Sequence, residues 1–148
     1  KIMIYNFNTH SLDYTAKVIP TFSLALNTIE LEYILQSGKL VDVTGFLPLI
    51  KSEKTKINIG KYSSSSFFFE DSLAEANDVF DIFDKIPEIK KYFIPQTIKF
   101  DEDKGIIQVG TDLELEDKIL KVNDSIFYGV DLDGFLKCLY LIPEKFIS

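Results

Sequence analysis

Few residues in this chain are of the types that do chemistry, and their spacing limits what each can do. His10 is the only histidine. A Ser–His–Asp triad would need it, with serines available at positions 63–66, but a lone histidine in a polar loop is the ordinary setting of a solvated side chain. A metal motif built on two histidines is excluded. Cys138 is the only cysteine, so neither an internal disulfide nor a Cys-rich zinc site can form. Beside Leu139 in an apolar run, it reads as a buried structural thiol. Gly105 and Gly110 have the separation of a phosphate loop, but Thr111 stands where the lysine must follow, and the flanks read as strand. Asp131-Leu132-Asp133-Gly134 opens like a calcium loop, yet the later ligands and the closing glutamate are not at EF-hand spacing. Capping is the job expected of these aspartates. Paired carboxylates could serve a glycosidase, but with 23 acidic residues sequence proximity selects no pair. No catalytic set, cofactor or metal site is therefore expected.

Charge points in one direction. The 148 residues carry a net charge of −7, and all sixteen basic residues are lysine. Without arginine there is no bidentate guanidinium clamp for phosphate. An acidic chain also lacks the cations that release counterions from nucleic acid, so no nucleic-acid partner is expected. An acidic surface steers basic partners instead. The expected function is a non-enzymatic acidic protein-binding module, most concretely an immunity or inhibitor protein that neutralises a basic toxin such as a nuclease. Carboxylates around an aromatic anchor would do this work. The candidates are Asp101, Glu102 and Asp103, then Asp112, Glu114, Glu116 and Asp117, with Tyr62 and Tyr128 as anchors. Two alternatives are a hydrolase, either catalytically degenerate or unrecognised, and a structural subunit of a phage or secretion assembly. The latter would self-associate through a strand at residues 67–69.

The elements that must position these residues read as one α+β domain over residues 1–148. Residues 118–142 are expected to form strand, turn at Asn123-Asp124, strand and helix, with Leu120, Val122 and Phe127 on one face. Leu132, Phe135, Leu136, Leu139 and Tyr140 make an apolar helical stripe, with Asp131 as N-cap and Pro143 as the stop. Residues 56–86 repeat the plan, with a short strand through Ile57 and Ile59 and a helix opened by the capping box Ser72–Glu75. The expected architecture is an antiparallel, hairpin-rich sheet with two main helices on one face, in two similar hairpin–helix units. Upstream, residues 1–7 read as a strand with Phe7 out of step. Residues 29–35 alternate as a half-buried strand, and Gly45 reads as a bulge. Ile98 and Phe100 lead into a polar loop at 101–105 and a return strand at 106–109. No run approaches the roughly 20 apolar residues of a membrane helix. With one cysteine and no secretory leader in view, a cytoplasmic location is expected.

Two stretches resemble known families. Ile19-Pro20 followed by Ile29-Glu-Leu-Glu-Tyr-Ile-Leu-Gln-Ser-Gly38 resembles the approach to the Asp-Thr/Ser-Gly site of retropepsin-like aspartyl proteases. Gln36 stands where that family has its catalytic aspartate, and an amide cannot act as the general base. The resemblance therefore implies an inactive relative with a polar cleft near residues 36–38. Leu115–Asp124 is similar to the Gly-Asp-x-Ile-x-x-Val-Asn-Gly stretch of PDZ domains, with Glu116 and Asp124 in place of its two glycines.

Overall fold

The computed structural model describes residues 2–15, 22–26, 28–34, 39–64, 80–81, 97–133 and 136–148. Among the described residues fourteen strands form two seven-stranded sheets. In the first half these are β1 (Ile2–Asn6), β2 (Ser11–Thr15), β3 (Phe22–Leu26), β4 (Ile29–Ile34) and β5 (Lys39–Phe46). A 3₁₀ turn, Leu49–Lys51, leads into β6 (Glu53–Lys54), and β7 (Tyr62–Ser64) and β8 (Phe80–Asp81) follow. The second half contains β9 (Ile98–Asp101), β10 (Ile106–Gly110), β11 (Lys118–Asn123), β12 (Ile126–Val130), β13 (Leu136–Leu141) and β14 (Lys145–Ile147).

One plan occurs twice. The first sheet contains the antiparallel order β1-β2-β5-β4-β3, and the second contains β9-β10-β13-β12-β11. In each unit a hairpin is followed by a three-strand meander whose last strand pairs with the second strand of the hairpin. The segment leaving each unit then crosses to the other. After β5, β6 pairs in parallel with β9. After β13, β14 pairs in parallel with β1, with Ile4 opposite Lys145. Two further parallel edges complete the sheets, β7 on β11 and β8 on β3.

The core explains why these residues form strands. On β4, Ile29, Leu31 and Tyr33 are buried while Glu30, Glu32 and Ile34 are half-buried, the period of two that one covered face requires. They join Met3, Tyr5 and Leu12 from the first sheet and Ile107, Ile126, Tyr128, Leu139 and Leu141 from the second in one shared core. Val41 is an extra residue on β5, between Glu32↔Asp42 and Tyr33↔Leu40. This bulge lets Leu40 and Val43, three positions apart, both reach that core. The expected bulge at Gly45 is therefore displaced to Val41. Gly45 is instead a residue with φ +121° lying against β4. The second sheet is covered on its other face too, where Ile106, Phe127, Cys138 and Tyr140 pack beneath Ile57.

The α+β expectation is corrected. Among the described residues the only helical element is the 3₁₀ turn at Leu49–Lys51. The stripe read as a helix over 132–142 contains β13, a strand between β10 and β12. Five of its six residues are buried because both faces are covered. A doubly covered strand is a near-continuous apolar run, and such a run satisfies helical spacing as readily as any other. Asp131 caps no helix; its Oδ1 accepts the Asp133 N–H at 2.9 Å. The other expected helix falls largely outside the described residues, but Phe80–Asp81 within it is strand β8. Ile57 and Ile59 lie in an irregular segment, and the expected strand at 67–69 lies outside the described residues.

The hairpin at 118–130 is present with its turn displaced by one residue. Asn123 pairs with Ile126, so Asp124 and Ser125 make the turn, and Asn123 Oδ1 accepts both the Ser125 and Ile126 N–H groups at 2.9 Å. Leu120 therefore faces Tyr128 on the shared-core side, and Phe127 belongs to the other face. A slip of one residue exchanges faces, as a period of two demands. The hairpin of β9 and β10 falls where expected. Among the described residues no helix is long and apolar enough to cross a membrane.

Candidate functional sites

Two clefts stand out, one acidic and one aromatic. The acidic cleft, about 270 Å³, lies where the connection from β10 to β11 meets the connection from β12 to β13. Glu114, Glu116, Asp117, Asp131 and Asp133 line it with Leu132 and a single cation, Lys137. Its position is set by two local devices. Gly129 has no side chain where a Cβ would come within 2.6 Å of Leu113 Cδ2, so Leu113 packs down there and anchors the chain ahead of Glu114. Lys137 is the extra residue of a bulge between Gly129↔Cys138 and Val130↔Leu136. The bulge turns it out of the sheet's alternation.

Lys137 Nζ donates to Asp117 Oδ2 at 2.7 Å, and the same oxygen accepts the Glu114 N–H at 2.7 Å. The Lys137 hydrogen bond, then the Glu114 N–H, hold the Asp117 carboxyl below its usual range. Asp117 in turn raises Lys137, with Glu114 and Asp131 adding to the effect. The cation is thus committed to the innermost acid. Glu114, Glu116 and Asp133 are exposed.

The aromatic cleft, about 560 Å³, lies where the two units exchange strands. It is lined by Phe7 and His10 beside the β1–β2 turn and by Leu49, Ile50 and Lys54 on the way into β6. Phe100, Glu102 and Phe146 complete it. Phe146 is the centre of the aromatic set, 5.9 Å from the Phe7 ring and 5.7 Å from Phe100. Beneath it, Tyr5 Oη donates to the Leu47 carbonyl at 2.6 Å and accepts the Leu49 N–H at 3.1 Å. This fixes the 3₁₀ turn as one wall. Lys54 Nζ donates to the Leu49 carbonyl at 2.6 Å and Ser52 Oγ at 2.9 Å, and lies 5.1 Å from the centre of the Phe100 ring.

The expected contact residues divide between these places. Glu114, Glu116 and Asp117 converge, and Asp131 and Asp133 join them. Glu102 lines the aromatic cleft, and Asp103 is exposed on the same turn. Asp101 is buried; it accepts the Ile57 N–H at 2.9 Å and those of Asp103 and Lys104 at 3.1 Å. Asp112 bonds Lys99 at 2.7 Å and Gln108 Nε2 at 2.7 Å. Tyr62 is half exposed, its ring edge-on to Phe127. Tyr128 is buried in the shared core.

The aromatic cleft carries no sequence motif, and Phe7, expected to be out of step with Ile2 and Ile4, in fact continues the spacing of buried Met3 and Tyr5. Residues 35–38, which carry the end of the retropepsin-like resemblance, lie outside the described residues. Among the described residues no three His, Cys, Asp or Glu side chains are grouped so as to hold a metal ion. No protein-family model matches the chain, and no curated protein matches it.

Proposed function

We propose that this chain is a non-enzymatic protein-binding module whose acidic cleft receives a basic segment of a protein partner. In its most concrete form it is an immunity or inhibitor protein that occludes the cationic site of a toxin such as a nuclease. The supporting observation is the charge of the cleft, five carboxylates against one ammonium. That ammonium already donates to Asp117. A lysine or arginine from a partner would meet Glu114, Glu116 and Asp133 at the rim, where opposite charge raises association rates and selects against acidic competitors. The test is retention of a partner from host lysate on the immobilised chain at low salt, with Glu114→Lys/Glu116→Lys as the paired bait. A basic protein retained by the natural chain, lost by the variant, and inhibited on stoichiometric addition supports the reading. Retention of nothing, or retention indifferent to the two reversals, overturns it.

A second reading is favoured by the repeated strand order. The segment resembling retropepsin-like proteases runs along β4 towards Gln36, between β4 and β5. The corresponding connection of the second unit, between β12 and β13, carries Asp131 and Asp133. On this reading the chain is an unrecognised peptidase that keeps carboxylates in one copy only. Cleavage of an unfolded protein at acidic pH, abolished by Asp131→Asn, would establish it. Absence of cleavage from pH 3 to 7 would remove it.

A further inference from the structure

We infer that the aromatic cleft binds a small amphipathic carboxylate, a molecule with an aromatic or alkyl body and a single anionic head. The site is separate from the acidic cleft and does not depend on the reading given for it. At about 560 Å³ it falls in the range of small-molecule sites, which are mostly apolar with a few placed polar groups. Phe7, Phe100 and Phe146 supply faces for a flat or extended body. Ile50, 78% exposed at the mouth, is apolar surface that an occupant would cover.

The polar groups select the head. An ammonium has three hydrogens. Leu49 and Ser52 take two from Lys54, and Glu102, at 3.9 Å, is beyond hydrogen-bond distance. The third is available to an anion over the Phe100 ring. Glu102 is the one acid on the lining and its side chain is 64% exposed. It disfavours a dianion but can remain in water beside a monoanion.

His10 is the second selecting group. It has φ +52°, in the left-handed region that costs a non-glycine residue about 1 kcal/mol or more. Its Nδ1 is buried with no hydrogen-bond partner among the described residues, and such groups are rare unless something else satisfies them. Its ring stands edge-on to Phe46 and forms part of the cleft lining. The unpartnered nitrogen therefore belongs to a ring on the cleft wall, a polar group that no described residue satisfies.

The test uses the full chain and three probes of one shape: 4-phenylbutyrate, 4-phenylbutan-1-ol and 4-phenylbutylamine. The readout is the imidazole NMR signal, which belongs to His10 alone because the chain has no other histidine. At about pH 8 the acid is anionic and the amine cationic. The expected result is saturable movement of the His10 signals by phenylbutyrate, binding about tenfold tighter than the amine, as loss of one charge-assisted hydrogen bond predicts. Lys54→Met erases the preference for the acid, and Ile50→Ser, at an exposed position, weakens acid and alcohol alike. No movement with any probe, or equal affinity for acid and amine in the natural chain, overturns the proposal without reference to either variant.

Discussion

Asp117 and Lys137 form the most enclosed ion pair among the described residues, 2.7 Å apart with 3% and 17% of their side chains exposed. The pair lies at the inner end of the acidic cleft and separates a structural carboxylate from the exposed ones, Glu114, Glu116 and Asp133. Asp117→Asn keeps the shape but removes the negative charge opposite the Lys137 ammonium. It should lower unfolding free energy by about 1–3 kcal/mol, measured by urea denaturation. Glu116→Gln, at the exposed rim, should change stability by less than about 0.5 kcal/mol and affect partner binding alone. Equal losses from both substitutions would contradict this division.

Acid should destabilise the protein through its depressed carboxyls, which are Asp124 beside Lys121 at an exposed turn and three held by more distant groups. Asp101 is held low first by the Ile57 N–H, Asp112 by Lys99 and then Gln108, and Asp117 by Lys137 and then the Glu114 N–H. A depressed carboxyl stays ionised in the folded chain where the unfolded chain takes up a proton. The stabilisation is therefore complete above the ordinary carboxyl pKa of about 3.9 and is lost as pH falls through the lower folded values. Melting temperature should be nearly level from neutrality to about pH 5 and then fall. Asp117→Asn should fall less steeply over the acid limb.

Tyr5→Phe should be costly although it removes one oxygen. The hydroxyl joins the Leu47 carbonyl to the Leu49 N–H, and both bonds are buried. Leaving these groups unpaired should cost about 1–3 kcal/mol, read as a lower denaturation midpoint with an unchanged slope.

Gly45→Ala should be among the most damaging small changes. At φ +121° a Cβ would lie 2.5 Å from the Thr28 carbonyl oxygen and 2.8 Å from Ile29 Cα, backbone atoms that cannot swing aside. The expected loss is about 3 kcal/mol or more. Gly60→Ala, where a Cβ meets nothing within 4 Å, is the matched control and should leave the melting temperature unchanged.

The thiol of Cys138 is fully buried, and burial pushes its pKa up to about 12. A thiol reacts as the thiolate. Iodoacetamide should therefore leave the native chain unmodified at neutral pH and label it at Cys138 once denaturant opens the second sheet. Mass measurement of the two samples separates these outcomes.

Part of this architecture was legible in the sequence. The alternation Ile29, Leu31, Tyr33 belongs to a strand covered on one face, where a period of two appears undisguised. The hairpin of β9 and β10 was equally plain, because a polar loop with Gly105 separates two apolar strands. β13 was not legible. Covered on both faces, it has no alternation, and Leu136, Leu139 and Tyr140 fit a helical stripe by default. The acidic residues show a similar limit. Asp101, Asp112 and Glu116 look alike in sequence, yet the first two serve Ile57 and Lys99 while the third stands in solvent. Only the placement of distant N–H and ammonium groups distinguishes them. The crossing of β6 and β14 had no local signal either, since an edge strand of two or three residues is specified by its neighbour rather than by its own residues.

That crossing bears on how the chain folds and fails. Each unit gives its trailing strand to the other, as two hands clasped rather than laid side by side. The first strand of one unit is sealed only when the last residues of the other arrive, with Ile4 waiting for Lys145. Such long-range closure makes for slow folding. It also makes loss reciprocal: freeing β14 uncovers β1, and freeing β6 uncovers β9. The strands β1–β6 and β9–β14 thus hold each other at two separate places, β6 on β9 and β14 on β1, and either clasp alone still ties the two units together.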